Sequence, residues 1–235
     1  MQEKSFLIVD TSGEEAIVLA KKNEQLCSRV WNSGRDLTGS LLLHITSVLQ
    51  EAEISPASIT RILACMGPGS YTSLRITSAT LIPFGYVNKT PLYPLFVHDL
   101  EVVAIASQVD KNILPLHCSI TLTSKFGDPS VKHYEIVVKE EKLCIQEITI
   151  NLYETSHEYP CTYHEGTIKL SKEVDEIKRI DKTEVLTTCL SAIVDIESTI
   201  QFLGKKSETS LLPEYYRAPY ITTKKAGSLL KIEPA

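Results

Sequence analysis

The sequence predicts an α/β fold, a mixed sheet with helices packed on it. Three observations carry that prediction. Three short apolar runs joined by tight polar turns open the chain, an apolar helical stripe follows over 35–53, and apolar runs then alternate with helical segments.

Taken in order, FLIVD (6–10) is an apolar run that ends in the turn cluster Asp10-Thr11-Ser12-Gly13. EAIVLAKK (15–22) and QLCSRVW (25–31) flank polar Asn23-Glu24 and read as two more strands. In RDLTGSLLLHITSVLQEAE (35–53), Leu37, Leu41, Ile45, Val48 and Ala52 share one helical face, and Leu42 and Leu49 widen it. Ser55-Pro56 ends that pattern, and ITRILACMG (59–67) reads as a buried strand. A second helix is expected over about 72–87, with Leu74, Ile76, Ala79, Leu81, Ile82, Phe84, Tyr86 and Val87 pointing nearly all round its axis. PLYPLFV (91–97) supplies a further strand and DLEVVAIASQ (99–108) a short helix.

The second half is less regular. HYEIVVKEEKLCIQEITI (133–150) reads as a hairpin around the charged Lys139–Lys142 turn, and EVDEIKRI (173–180) as a weak helix. TEVLTTCLSAIVDIESTIQFLGKK (183–206) mixes a strand with a helix ending near Gly204. A soft boundary is expected near Lys111. It divides an N-terminal lobe (1–110) from a smaller C-terminal lobe (111–235) with a basic tail at Lys224-Lys225.

Composition narrows the function classes. The chain has 235 residues, 43% hydrophobic and 23% charged, as in soluble globular proteins. A formal charge of −5 gives no overall basic field for nucleic acid. The first apolar run meets Asp10 too soon for a secretion signal or a membrane span. Cysteines 27, 65, 118, 144, 161 and 189 lack paired spacing, which fits buried thiols and a cytoplasmic location.

The stretch MGPGSYTSLRI (66–76) carries the most information. It lacks the lysine and spacing of a P-loop, and threonine at 72 breaks the nucleophile-elbow pattern. A structural turn that feeds a helix, with Ser70 or Thr72 as its cap, is the favoured reading. An anion contact by Gly67, Gly69, Ser70 and Thr72 together with Asp10 remains the rival. Arg75, set among apolar residues, reads as a local salt bridge or backbone anchor. His157, Cys161 and His164 are closely spaced but read as an exposed loop, so no metal site is expected.

These motifs resemble the TsaB family, relatives of the tRNA threonylcarbamoyladenosine synthase TsaD that have lost catalysis. The resemblance rests on VDTS (9–12), GPGSYTSLRITSATLIPFGYVNKTPLYPL and the terminal PEYYRAPYITTKKA (213–226). The sequence departs from the family pattern at Ser73, Thr77 and Pro83, where glycine is usual, and over 115–130. Pro83 is expected to kink or shorten the second helix. The resemblance implies an actin-like (ASKHA, RNase H-like) ATPase fold with a degenerate second lobe. It implies a non-catalytic scaffold that supports threonylcarbamoyl transfer to the adenosine beside the tRNA anticodon. TsaD-like and TsaE-like proteins would be its partners and tRNA only an indirect one. The chain would be a homodimer when alone, and ATP or ADP would bind only at a partner-completed site.

Both apolar helices exceed what one sheet can cover, so their surplus is expected at the partner interface. The expected contacts are Leu41, His44, Ile45, Val48 and Leu49 on the first helix, and Leu74, Ser78, Ile82 and Tyr86 on the second. The alternatives are an active ASKHA-type ATPase or kinase using Asp10 and the Gly67–Thr72 turn, and a tRNA-binding module using Lys205-Lys206 and Lys224-Lys225.

Overall fold

The computed structural model describes residues 4–32, 34, 36–124, 128–149, 157–160, 166–174, 177–178, 180–194, 199–215, 220–222 and 229–231. The first sheet has the order β3-β2-β1-β4-β5. Its strands are β1 (Ser5–Asp10), β2 (Glu15–Lys22), β3 (Gln25–Asn32), β4 (Arg61–Cys65) and β5 (Leu92–Leu95). β1, β2 and β3 pair antiparallel, while β4 and β5 run parallel to β1. The hairpin turns leave β1 in the centre, and all six of its residues are buried.

Helices α1 (Leu37–Glu51) and α2 (Tyr71–Asn88) cover one face of this sheet. Leu37, Leu41, Ile45, Val48 and Leu49 of α1 share a core with Leu7, Val9, Val18 and Ile62 of the strands. This corrects the expected interface: Leu41, Ile45, Val48, Leu49 and Leu74 are at most 3% exposed, and Ser78 is buried with them. A stripe at helical spacing faces the nearest apolar surface, and here that surface is the chain's own sheet. The residues turned outward are Leu42, Leu43, Tyr86 and Val87. Of the nine expected contacts, Tyr86 is exposed, while His44, stacked 4.0 Å from Trp31, and Ile82 are half-buried.

Pro83 does not shorten α2, which continues to Asn88 and closes on Lys89 in the left-handed conformation (φ 53°). Exposure on the solvent side leaves room for the ring, and Asn88 Nδ2 donates to the Phe84 carbonyl at 2.8 Å in the last turn.

The other face of the first sheet joins a second core. All ten residues of α3 (Val97–Ala106) are buried, including His98, Asp99 and Glu101. α3 packs with α4 (Lys182–Val194) and with a six-stranded sheet of order β11-β8-β7-β6-β10-β9. These strands are β6 (Leu116–Thr123), β7 (Pro129–Lys139), β8 (Lys142–Glu147), β9 (His157–Pro160), β10 (Gly166–Leu170) and β11 (Ile200–Phe202). β12 (Tyr220–Thr222) and β13 (Leu229–Lys231) form a separate antiparallel pair. One core, with Ile8, Leu19 and Leu63 on one side and Ile120, Ile136 and Ile168 on the other, spans both large sheets.

The β7–β8 hairpin turns at Glu140-Glu141, both with positive φ, inside the charged stretch that marked it. The divergent 115–130 segment supplies β6, an inner strand of the second sheet. In 183–206 the order is helix first and strand second, with Gly204 (φ 86°) after the strand rather than ending the helix. The described part of 173–180 is not helical.

Candidate functional site

The carboxyl ends of the parallel strands β1, β4 and β5 meet at one edge of the first sheet, the place where open α/β sheets usually bind ligands. β1 delivers Asp10 there, and β4 delivers Met66 and the Gly67–Ser70 turn. Met66 N donates to Leu95 O at 2.7 Å, and Val97 N donates to Gly67 O at 2.8 Å. Asp10 and the Gly67–Ser70 turn therefore lie at the same end of the sheet, with Thr72 exposed on the first turn of α2.

The chain itself fills this edge. A Cβ on Gly69 would lie 2.9 Å from Ser12 Cα, and one on Gly67 would lie 2.8 Å from Leu74 Cδ1 and collide with the Glu214 carbonyl oxygen. Gly67 also has φ 110°, so glycine is required there on both counts. The glycines thus permit turn-on-turn packing. Thr11 and Thr77 share a hydrogen bond at 2.6 Å, so a hydroxyl stands where the resembled family has glycine and ties the first turn to α2. Ser70 caps α2, accepting from Ser73 N at 3.5 Å.

Asp10 is fully buried. Its Oδ1 accepts from Ser12 N at 2.8 Å and Ser12 Oγ at 2.7 Å, and Lys182 Nζ lies 2.9 Å from Oδ2. Burial pushes the carboxyl pKa up, but the Lys182 charge and the Ser12 bonds overrule it and hold it below the usual value. Burial likewise depresses Lys182, and Asp10 more than restores it, so its pKa is raised. Both groups are ionised at neutral pH. Sequence reasoning missed Lys182, which lies 172 positions from Asp10. The available signal was a lysine in the first turn of a helix, where the macrodipole disfavours cations.

A second buried pair sits deeper. Asp99 accepts from Lys205 Nζ at 2.8 Å, Phe96 N at 2.7 Å and Tyr134 Oη at 2.9 Å. Lys205 is therefore removed from the expected basic contacts, and Lys224-Lys225 lie outside the described residues. Glu214 binds Lys132 at 3.1 Å and Ser130 Oγ at 3.1 Å. Arg75 is exposed and bonds Tyr71 Oη at 2.7 Å, and among the described residues it makes neither a salt bridge nor a backbone anchor. The side chains of His157, Cys161 and His164 lie outside the described residues, among which no three metal-type side chains cluster.

Residues 33–121 match the family model of TsaD, tRNA N6-adenosine threonylcarbamoyltransferase. Across that span, less than half of the chain, the sequence is similar to TsaD. The TsaD-like span holds α1, α2, the Gly67–Ser70 turn and most of β6, but neither Lys182 nor Lys205. Among solved structures, YeaZ from Pseudomonas aeruginosa overlays with a TM-score of 0.46 at 16% identity, covering 64% of this chain and 72% of that one. Component A of the (R)-2-hydroxyglutaryl-CoA dehydratase from Acidaminococcus fermentans gives 0.30 at 14% identity, covering 60% and 44%. An Aquifex aeolicus member of the Ppx/GppA family gives 0.30 at 8% identity, covering 62% and 51%. No curated protein matches the sequence.

Proposed function

We propose that this chain is a non-catalytic scaffold of the TsaB type. It holds a TsaD-like partner and supports threonylcarbamoyl transfer to the adenosine beside the tRNA anticodon. Its fold is read as a degenerate actin-like one, with residues 1–110 as the working lobe and 111–235 as a smaller one. The carrying observation is the Asp10–Lys182 ion pair. The acid best placed to organise a metal and a phosphate is neutralised from within, and Ser12 fills the space beside Gly69. An active ATPase or kinase needs both to be free.

The partner surface in this reading is the outer side of α1 and α2, where Leu42, Leu43, Tyr86 and Val87 stand in water. The same surface serves self-association when the partner is absent. A TsaE-like ATPase joins the assembly through TsaD, nucleotide is held only at a site the partner completes, and the complex works in the cytoplasm. No helix among the described residues is long and apolar enough to cross a membrane.

The test mixes the purified full chain with a TsaD-like protein and follows mass by light scattering, then titrates each with ADP. A 1:1 complex, with nucleotide binding absent from the isolated chain, is the expected result. ATP turnover by the isolated chain, or two species that never associate, would defeat the reading.

A further inference from the structure

We propose that Tyr71, Arg75 and Tyr215 form a stacking site for an unpaired RNA base. The proposal rests on the tRNA-modification reading above and assigns this chain a direct RNA contact where the sequence suggests only an indirect one.

Tyr71 opens α2 and is 39% exposed, and Arg75 follows one turn later on the same face. The guanidinium donates to Tyr71 Oη at 2.7 Å and lies 5.2 Å from the centre of its ring. Tyr215 packs against Tyr71 with ring centres 4.7 Å apart, tilted by 39°. The two rings and the guanidinium thus form one cluster of flat π groups at the solvent edge of α2.

The cluster is held before any ligand arrives. Tyr215 follows Glu214, whose N–H donates to Met66 O at 2.7 Å and whose carboxylate is tied to Lys132 and Ser130. Tyr71 begins a capped helix, and its hydroxyl fixes the plane of Arg75.

Arg75 also stands apart in its charge. Arg29 is matched by Glu51, Lys132 by Glu214, Lys182 by Asp10 and Lys205 by Asp99. Arg75 has no carboxylate partner among the described residues, and α2 carries no acid in its first turn. A planar cation beside two aromatic rings offers flat faces to a nucleobase and spare N–H groups to the adjoining phosphodiester, which is how unpaired RNA is held. A carboxylate from a protein partner needs the charge but not the rings.

The experiment titrates a fluorescent anticodon stem-loop, and separately ADP, against the complex with a TsaD-like protein and against the isolated full chain. The variants are Arg75→Ala, Arg75→Lys and Tyr215→Leu. Loss of about tenfold in stem-loop affinity is expected for Arg75→Ala and Tyr215→Leu. Arg75→Lys should recover only part, because it keeps the charge and loses the plane. Partner affinity and melting temperature should not change for the Arg75 variants, whose side chain is exposed.

Unchanged stem-loop affinity in Arg75→Ala, or full recovery in Arg75→Lys, overturns the site. So does an equal loss of partner binding, which would make Arg75 a protein contact. ADP binding with the same variant sensitivity overturns the RNA assignment in favour of free nucleotide. Should no TsaD-like protein associate, variant-sensitive stem-loop binding by the isolated chain still supports the site while the scaffold reading fails.

Discussion

Helices α2 and α3 look alike in sequence, each apolar nearly all the way round, yet the fold treats them oppositely. α3 is buried at every residue, between α4 and the strands of the second sheet, and even His98, Asp99 and Glu101 are inside. α2 is covered by its own sheet, by α1 and, at Ser78, by the Leu211 segment, and still leaves Tyr86 85% and Val87 75% exposed. All-round apolar character says that a helix must be covered, but not by which molecule. Burial of charged groups tells the two apart. An inner helix can hold Asp99 because Lys205, Tyr134 and the Phe96 amide satisfy it, and an outer one has no such partners to offer.

The largest effect expected from breaking this contrast comes from a charge on the buried side of an outer helix. Val48 faces the sheet and is fully buried, so Val48→Glu sets an ionisable group against Leu7, Val9 and Ile62. A cost of about 4 kcal/mol or more is expected, comparable to the whole stability of a marginal domain. Chemical denaturation should show unfolding rather than a folded monomer that merely fails to pair. A folded Val48→Glu chain of normal stability would mean that α1 is rotated from the position described.

Next comes Lys182→Met, which leaves Asp10 buried without its counter-ion. Removing one partner of a buried pair typically costs about 3–5 kcal/mol. The double variant Asp10→Asn, Lys182→Met should regain most of that loss, and a double-mutant cycle read by urea melts measures the coupling. Loss of the same size in the double variant would show that packing by the lysine stem, not charge, is what matters.

The pair and His98 also shape stability against pH. Asp10 has a depressed folded pKa, so its contribution is complete above the unfolded value of about 3.9 and is lost as pH falls through the folded one. Lys182, raised in the fold, contributes fully below about 10.4 and loses it as pH climbs through its folded value. His98 differs. Burial lowers its pKa, against the opposing pull of the Ser130 carbonyl, Glu214 and Asp99, with Lys132 adding to the lowering. The unfolded chain therefore takes up that proton first, and stability should begin to fall below about pH 6.5. His98→Asn should flatten the upper part of that acid limb and leave the Asp10 part intact. An unchanged limb would move the acid sensitivity elsewhere.

The first half was legible because its signals are local. β1, β2, β3 and α1 follow from period, turn residues and Ser55-Pro56, and the resemblance fell on the same stretch. In the second half β6 was legible and went unread: CSITLT alternates apolar and small polar residues between Pro115 and Gly127-Asp128-Pro129, but the segment departs from the family pattern that guided the first half. The site was half legible. Asp10 and the Gly67–Ser70 turn lie at one end of the sheet, but the closure of that end depends on Lys182 and Glu214, distant in sequence. A lysine that neutralises a buried acid looks like any surface lysine until the fold brings the two together. The same limit applies to Leu42 and Leu49: both widen one helical stripe, yet Leu49 is buried and Leu42 stays wet, and the stripe itself gives no sign of which is which.

The smallest effect on stability should come from the outer residues of α1 and α2, and it sharpens the contrast most. Leu43 is 70% exposed and Tyr86 85%, and neither belongs to either core. Leu43→Glu and Tyr86→Glu should change the unfolding free energy by no more than about 0.5 kcal/mol, because a surface charge stays hydrated. If this side meets a TsaD-like partner, each variant should still abolish co-purification, since the new charge would lose its water at the contact. Substitution at Thr46, exposed on the same helix but polar, sets the background for the measurement. Normal co-purification of both variants would show that the uncovered side of α2 is simply wet, and the difference between α2 and α3 would then reflect nothing more than which helix lies nearer the middle of the chain's own fold.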